Sequence, residues 1–325
     1  MNQQGSSPQS SEKIRVGISS CLLGEEVRYN GGHKHSTLCT RELSRYFDFI
    51  SVCPEVGIGL SIPRKPIRLV GTPSDPDVVG VDDASINVTQ ELKLFGREKA
   101  HELNDLSGYI FIKGSPSCGL FRVKVYNDKG FPQEEMGRGV YAKVITDTYP
   151  LLPVEEAGRL MDPVLRENFI TRVFAYSNWQ AMKASGLTAK KLIDFHSCYK
   201  YSLMANNPQS YTTLGRMLGD AGKQDPYELG EKYFTALMES LSRKASRKSN
   251  ANVLRHLQGY LKKDLGGKEK EKLGEVIEQY RNGIVPLIVP VTMLRHYFHV
   301  YPNDYIEMQS FLQPYPDDLS LRNQI

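Results

Sequence analysis

The pattern of apolar residues changes near residue 150, and this change constrains the fold more than any other feature of the sequence. Before it, three short runs rich in β-branched and aromatic residues predict buried strands; they span residues 14–19, 47–52 and 109–112. Helix-like stretches lie between them, at 36–47 and 89–106. Strand and helix in alternation predict a parallel, Rossmann-like α/β sheet. A further strand at 121–126 and a helix at 140–148 complete this predicted domain.

Strand signals stop after the segment from Pro150 to Pro153. The rest of the chain shows helical periodicity interrupted by Gly, Asn-Pro and Asp-Pro. The predicted helices span residues 155–183, 188–206, 209–219, 227–263, 268–281 and 287–300. We therefore expect an N-terminal tail at 1–12, an α/β domain at 13–152 and an all-α domain at 153–325.

Composition and the chain start indicate a cytoplasmic protein. The longest apolar stretch, 284–294, is interrupted by two prolines and is too short to span a membrane. The first dozen residues, MNQQGSSPQSSE, lack the basic and apolar regions of a signal peptide, so we expect a disordered tail. Five cysteines, an odd number, form a poor disulfide framework in a reducing compartment. Metal-binding or catalytic thiols are the expected alternative.

Three of these cysteines come after predicted strands, at the strand end or in the turn that follows it. Cys21 comes after the first strand, Cys53 after the second and Cys118 after the third. The carboxyl ends of parallel strands share one edge of a sheet, where ligands bind, so the three thiols are predicted to converge. Gly, Pro and Ser turns surround each cysteine and would allow main-chain amides to approach a bound group. The alternative interpretation is three buried structural cysteines.

Three thiolates suit two kinds of metal centre. An iron–sulfur cube held by three cysteines keeps one iron open to act as a Lewis acid. A zinc ion with three thiolates and one water is the competing assignment. The remaining thiols, Cys39 in a predicted helix and Cys198 in the all-α domain, are interpreted as packing residues.

A catalytic acid or base is expected beside the metal. Glu55 lies two residues after Cys53 in the same turn and could hold a water against a bound substrate. The alternative role for Glu55 is a salt bridge with Arg64 or Arg68. Ser115 and Ser117 flank a proline in the third turn, where either hydroxyl could carry a proton or serve as an ordinary turn former. His33 and His35 are interpreted as polar loop residues.

Three motifs resemble those of the thiouracil desulfidase (TudS) family in the same order: CLLGEEVRYNGG from Cys21, CPEVGIGL from Cys53 and SPSCG from Ser115. The all-α part resembles the YbgA-type domain often fused to it. The segments that carry this second resemblance are EEAGRLMDPVLRENFITRVFAY from Glu155, FHSCYKYSLMA from Phe195 and NVLRHLQGYLKK from Asn252. Together they resemble the two-domain form called RudS, which acts on 4-thiouridine in tRNA. Asn30 departs from the family pattern, which commonly has Asp there.

The resemblance implies a [4Fe–4S] cluster held by Cys21, Cys53 and Cys118, with the fourth iron open to the sulfur of a thiocarbonyl. It implies that Glu55 is the catalytic acid or base and that the catalytic serine is Ser115, with Ser117 as second choice. The expected activity is non-redox hydrolysis of 4-thiouridine in tRNA, or of free thiolated uracils, to the carbonyl and sulfide. The alternatives are a zinc or redox cysteine enzyme on a small sulfur compound and a non-catalytic tRNA-binding protein.

Basic residues concentrate in one run of the all-α domain. No acid occurs between Leu241 and Lys263, and the net charge of +4 comes from the C-terminal half of the chain. A run of this kind is either a solvated helix face or the footprint of a polyanion. We expect it to bind the tRNA body by charge and shape, with a tyrosine to stack on a base. The residues of this predicted RNA-binding surface are Lys244, Arg247, Lys248, Arg255, Tyr260, Lys262 and Lys263.

Overall fold

The computed structural model describes residues 13–325, and the predicted disordered tail at 1–12 lies outside them. The chain divides into two compact units between Thr148 and Tyr149. The domain boundary predicted from the sequence lies four residues later, between residues 152 and 153. The first unit has an α/β architecture and the second is helical, as the sequence predicts.

The strands of the described residues are short. In chain order they are β1 (Ile14–Ser19), β2 (Phe47–Val52), β3 (Ile67–Thr72), β4 (Asp75–Gly80), β5 (Tyr109–Phe111), β6 (Val125–Tyr126) and β7 (Val154–Glu156). β1 pairs in parallel with β2 on one side and with β5 on the other. Val16 and Ile18 of β1 are fully buried, which explains why the strand is apolar at these positions. The predicted parallel sheet is therefore confirmed.

A second sheet in the first unit was missed by the sequence analysis. β3 and β4 form an antiparallel hairpin, and β6 pairs in parallel with β3. Leu69 and Val78 are fully buried in this sheet, but the other residues of β3 are partly or fully exposed and β4 begins with Asp-Pro-Asp. The strand predicted over 121–126 is wrong in extent, because only Val125–Tyr126 is a strand. Short half-buried strands contain too few apolar residues to be recognised from the sequence pattern.

Helices of the first unit are α1 (Pro54–Gly57), α2 (Thr89–Glu102) and α3 (Val140–Thr148). The predicted helix at 36–47 is wrong: this segment forms a π turn, Leu38–Glu42, followed by a 3₁₀ turn, Leu43–Arg45. Hydroxyls compete with the helical main chain here, since Thr40 Oγ1 donates to Ser36 O at 3.1 Å and Ser44 Oγ donates to Thr40 O at 2.7 Å.

Helices of the second unit are α4 (Pro163–Ala184), α5 (Ala189–Asn206), α6 (Pro208–Met217), α7 (Pro226–Leu241), α8 (Arg247–Tyr260), α9 (Gly267–Arg281), α10 (Ile288–Val300) and α11 (Asp304–Glu307). They enclose two apolar clusters, one around Trp179 and Phe234 and one around Leu257 and Leu294. Among the described residues, no helix is long and apolar enough to cross a membrane.

Two predicted helices of this unit differ from the structure. The helix expected from residue 155 starts only at Pro163, where the carboxylate of Asp162 accepts hydrogen bonds from the next two free amides. The continuous helix expected over 227–263 is wrong, because it breaks between Leu241 and Arg247. Ser246 and Ser249 exchange side-chain to main-chain hydrogen bonds and begin a new helix there.

Candidate functional site

The carboxyl ends of β1, β2 and β5 meet at one edge of the parallel sheet, and a cysteine follows each strand. Cys21 lies in a 3₁₀ turn directly after β1, Cys53 lies immediately before α1, and Cys118 lies in the turn after β5. All three thiols line one cavity of about 260 Å³. The structure thus brings together the three cysteines that the sequence singled out.

The turn that carries Cys118 is held by its own main chain and by one serine. Ser115 Oγ accepts hydrogen bonds from the amides of Ser117 and Cys118, at 3.2 and 3.1 Å. Gly139, just before α3, donates its amide to Gly119 O at 2.7 Å. A Cβ on Gly139 would lie 2.5 Å from Ser117 O, so only glycine fits at this position. Gly139 was not predicted from the sequence, where the Gly-Arg-Gly segment before α3 indicates it.

Glu55 lies at the centre of the polar contacts in this cavity. Its Oε2 forms an ion pair with the Arg64 guanidinium, whose Nε donates at 3.0 Å. Its Oε1 accepts hydrogen bonds from Ser117 Oγ at 2.8 Å and from Ser115 Oγ at 3.3 Å. Of the two arginines named as alternative partners, Arg64 makes the ion pair. Arg68 instead lies over the Tyr126 ring, 5.1 Å from its centroid.

The two serines differ in their access to the cavity. Ser115 lines it, whereas Ser117 is fully buried and directs its hydroxyl at Glu55. Ser115 is therefore the hydroxyl that a bound molecule can contact, and Ser117 is placed to fix the carboxylate.

Burial controls the charge of the thiols. It raises the pKa of Cys21 to about 11, raises the pKa of Cys118 well above its usual range, and raises the pKa of Cys53. Free thiols in this cavity are therefore protonated near neutral pH and are poor nucleophiles. They become thiolates only beside a strong positive charge such as a metal.

The donor set suits a metal centre. Cys21, Cys53 and Cys118 are soft thiol donors that line one cavity, and soft donors of this kind bind both zinc and iron–sulfur clusters. A zinc ion held by three thiolates keeps a fourth position for water, and a four-iron cluster held by three cysteines keeps one iron open. Within residues 13–325, no three or more His, Cys, Asp or Glu side chains form a group that could hold a metal ion.

The mouth of the cavity carries residues that the sequence analysis missed. Arg28, Tyr29 and Lys113 line it, and the Arg28 guanidinium lies 5.6 Å from the centroid of the Tyr29 ring. Arg64 connects the neighbouring loops, because its amide and its guanidinium donate to Tyr29 O and Val27 O at 2.8 and 3.0 Å. A positive, aromatic rim next to buried thiols is suited to a planar ligand.

Other residues named from the sequence lie away from the cavity lining. His33 and His35 do not line it, and His35 Nε2 is hydrogen-bonded to Thr40 Oγ1 at 2.9 Å. Cys39 is fully buried in the π turn, and Cys198 lies half-buried in α5 of the second unit. Asn30 keeps a turn-forming role, since its Oδ1 accepts a hydrogen bond from the Gly32 amide at 3.2 Å.

The predicted RNA-binding residues do not all lie on one helix. Lys244 lies in the segment between α7 and α8, while Arg247 and Lys248 begin α8. Arg255 is ion-paired with Glu278 at 2.5 Å. Tyr260 is 41% exposed, with its hydroxyl at 3.2 Å from that of Tyr201. Lys262 and Lys263 follow α8 and are exposed.

Family models match both units of the chain. The model described as 2-thiouracil desulfurase matches residues 16–157, which contain the whole three-thiol cavity, and a model described as a protein of unknown function (DUF1722) matches residues 200–316. The chain carries a 2-thiouracil desulfurase family domain followed by a DUF1722 domain. The family match includes Cys21, Cys53, Cys118 and Glu55.

Relatives match each part of this domain fusion. YbgA of Escherichia coli (strain K12), an uncharacterized protein, is 30% identical over 158 residues, covering 48% of this chain and 94% of YbgA. YbbK of Bacillus subtilis (strain 168), also uncharacterized, is 34% identical over 135 residues, covering 39% of this chain and 87% of YbbK. A solved structure of the [4Fe–4S]-dependent thiouracil desulfidase TudS is 26% identical, covers 46% of this chain and 95% of that chain, and has a TM-score of 0.37.

Proposed function

We propose that this protein is a [4Fe–4S]-dependent desulfidase that converts 4-thiouridine in tRNA to uridine and releases sulfide. The observation that carries the proposal is the cavity that three thiols line together with the hydrogen-bonded Glu55 carboxylate and Ser115 hydroxyl. The family match to a 2-thiouracil desulfurase supports a thiolated pyrimidine as the substrate class.

Cys21, Cys53 and Cys118 are the residues that would hold the cluster. When bound, it would supply an open iron, a soft Lewis acid suited to the sulfur of a thiocarbonyl. The raised pKa values of the free thiols disfavour the alternative of a redox or nucleophilic cysteine. Replacement of C=S by C=O takes up one water and releases one H₂S, so no electrons are transferred.

Glu55 and Ser115 handle the protons of this hydrolysis. Glu55 lines the cavity and accepts a proton from the water that adds to the ring carbon. Arg64 and Ser117 hold the carboxylate from two directions, which keeps its orientation fixed. Ser115 Oγ is within hydrogen-bond distance of Glu55 Oε1 and also lines the cavity, so it connects this oxygen to a bound molecule. Ser115 can return the proton to the departing sulfur.

The rim residues would orient the base. The exposed ring of Tyr29 provides a stacking surface, and the Arg28 guanidinium adds a second planar group beside it. The Lys113 ammonium offers a donor for an oxygen of the substrate. A thiolated uridine has to leave its stack to reach thiols that are mostly buried.

We expect anaerobically reconstituted protein to release one sulfide for each 4-thiouridine converted to uridine in tRNA. Sulfide is measured colorimetrically, and the nucleosides are measured by mass spectrometry after digestion of the tRNA. Protein prepared without iron is the matched control. Unchanged 4-thiouridine with a fully loaded protein would contradict the proposal, and turnover of the free nucleoside alone would restrict it to small substrates.

The second unit is proposed to hold the tRNA body through the basic residues of and around α8. Lys244, Lys248, Lys262 and Lys263 are exposed and have no ion-pair partner in the described part of the chain. Arg255 is partly neutralised by Glu278, so its contribution is smaller. Lysines of this kind hold phosphates without reading sequence.

Changing Lys244, Arg247 and Lys248 together to Ala is expected to weaken tRNA binding and to reduce the slope of log affinity against log salt by about two to three. Turnover of free 4-thiouridine should persist, since all three lie in the second unit. The matched control replaces three other exposed lysines of that unit, Lys190, Lys223 and Lys232. If the salt slope is unchanged in the variant of Lys244, Arg247 and Lys248, the basic run is a solvated helix face and does not bind tRNA.

A further inference from the structure

A second polar cavity, of about 150 Å³, lies within the second unit. Residues of α4, α5 and α8 line it together with residues near the end of the described chain. It shares no residue with the three-thiol cavity. Its lining contains three basic side chains and several hydroxyl and amide groups, which is unusual for an interior between packed helices.

A buried arginine forms the inner wall of this cavity. Arg322 is only 7% exposed. Its Nη1 donates to Phe311 O at 2.5 Å, and its Nε donates to Glu167 Oε1 at 3.3 Å. The guanidinium also lies 5.2 Å from the Phe311 ring centroid. Tyr315 packs against the same guanidinium, with its ring centroid 5.9 Å away, and these contacts together hold the group rigidly.

Two further cations lie at the outer side of the cavity. Lys244 has no ion-pair or hydrogen-bond partner within residues 13–325. Arg247 donates through Nη1 to Tyr280 O at 3.1 Å, and its guanidinium lies 5.2 Å from that ring's centroid. Glu167 is the acidic side chain of the lining, and it also accepts a hydrogen bond from Tyr315. Positive charge therefore exceeds negative charge among these side chains.

A threonine without a partner gives an independent indication of a ligand. Thr171 is 9% exposed and lines the cavity, and its buried Oγ1 has no hydrogen-bond partner. A buried hydroxyl is rarely left unpaired, because the lost hydrogen bonds to water are not replaced. The cavity thus offers one free hydroxyl donor beside its three cations.

We propose that this cavity binds a phosphate-sized oxyanion, and that the natural ligand is a phosphomonoester group. Guanidinium and ammonium groups form short, charge-assisted hydrogen bonds with phosphate oxygens, and arginine matches two oxygens at once. Thr171 donates to a third oxygen. The volume admits a tetrahedral anion together with a few waters. This site shares Lys244 and Arg247 with the proposed tRNA-binding surface, but phosphate binding can be measured without any desulfidase turnover.

The test is isothermal titration of the full chain with inorganic phosphate, with uridine monophosphate and with an oligoribonucleotide carrying or lacking a 5′-phosphate. We expect binding that depends on the phosphate group. If only inorganic phosphate and uridine monophosphate bind, the natural ligand is a free metabolite. If the 5′-phosphorylated oligonucleotide binds preferentially, the natural ligand is an RNA end. Absence of binding for all three phosphate probes would overturn the proposal.

Two variants locate the bound phosphate. Lys244→Gln and Thr171→Val should each weaken phosphate binding, by about tenfold or more for the loss of the charged group. Thr171→Val keeps the side-chain volume, so it separates lost hydrogen bonding from lost folding. Lys232→Gln, an exposed lysine of α7 outside both the cavity lining and the proposed tRNA-binding surface, is the matched control and should bind phosphate normally. Phosphate affinity unchanged in both cavity variants would place the anion elsewhere and refute this site.

Discussion

Replacing any one of Cys21, Cys53 and Cys118 by Ser is expected to abolish the brown colour and the bound iron of reconstituted protein, together with its desulfidase activity. A serine hydroxyl is a hard donor with a far higher pKa than a thiol, so it does not replace a soft thiolate ligand. Iron and acid-labile sulfide are measured chemically, and the visible absorbance follows the cluster. The helical signal in circular dichroism should persist, because the second unit has its own apolar clusters.

Cys39→Ser and Cys198→Ser are the matched controls for this prediction. Cys39 is as buried as the proposed ligands and belongs to the same unit, but it does not line the cavity. Cys198 belongs to the second unit. Both variants should keep their iron. If either loses the cluster as completely as Cys53→Ser does, then the assigned ligand set is wrong.

Glu55→Gln is expected to keep the cluster and to lower the rate of sulfide release by about 10²–10⁴-fold, the usual contribution of a general base. Glutamine has the same shape and can still accept hydrogen bonds from Ser115 and Ser117, but it cannot take up a proton from water. Single-turnover sulfide release on protein with a measured iron content checks this prediction.

Arg64 complicates the interpretation of Glu55→Gln and calls for its own variant. The Arg64 side chain is 6% exposed and loses its carboxylate partner when Glu55 is replaced. Arg64→Gln keeps the carboxylate but removes the ion pair. If the rate of sulfide release falls as far in Arg64→Gln as in Glu55→Gln, the effect of Glu55→Gln is assigned to the loss of the ion pair that positions these two side chains. Near-normal turnover in a coloured Glu55→Gln protein would remove Glu55 from the mechanism.

The sheet that carries the site was predictable because its strands are short runs rich in β-branched and aromatic residues, and β1 and β2 match their predicted ranges. β1 is buried from Val16 to Ser19, whereas β2 is an edge strand with exposed residues. The β3–β4 hairpin was missed because each strand is only six residues long, β3 fully buries Leu69 alone, and β4 begins with Asp-Pro-Asp. The break between α7 and α8 was missed because the sequence keeps its helical periodicity across Ser246, whose capping contacts form only in the folded chain.

The sequence by itself determined the donor set of the site. The position of a cysteine after each of three parallel strands is a property of chain order, and parallel pairing then brings the strand ends to one edge. Only the tertiary structure decided how the other groups are used. It selected Arg64 over Arg68 as the partner of Glu55, and it left Ser115 rather than Ser117 at the cavity. These choices depend on the directions of side chains from different elements, which residue spacing along the chain does not specify.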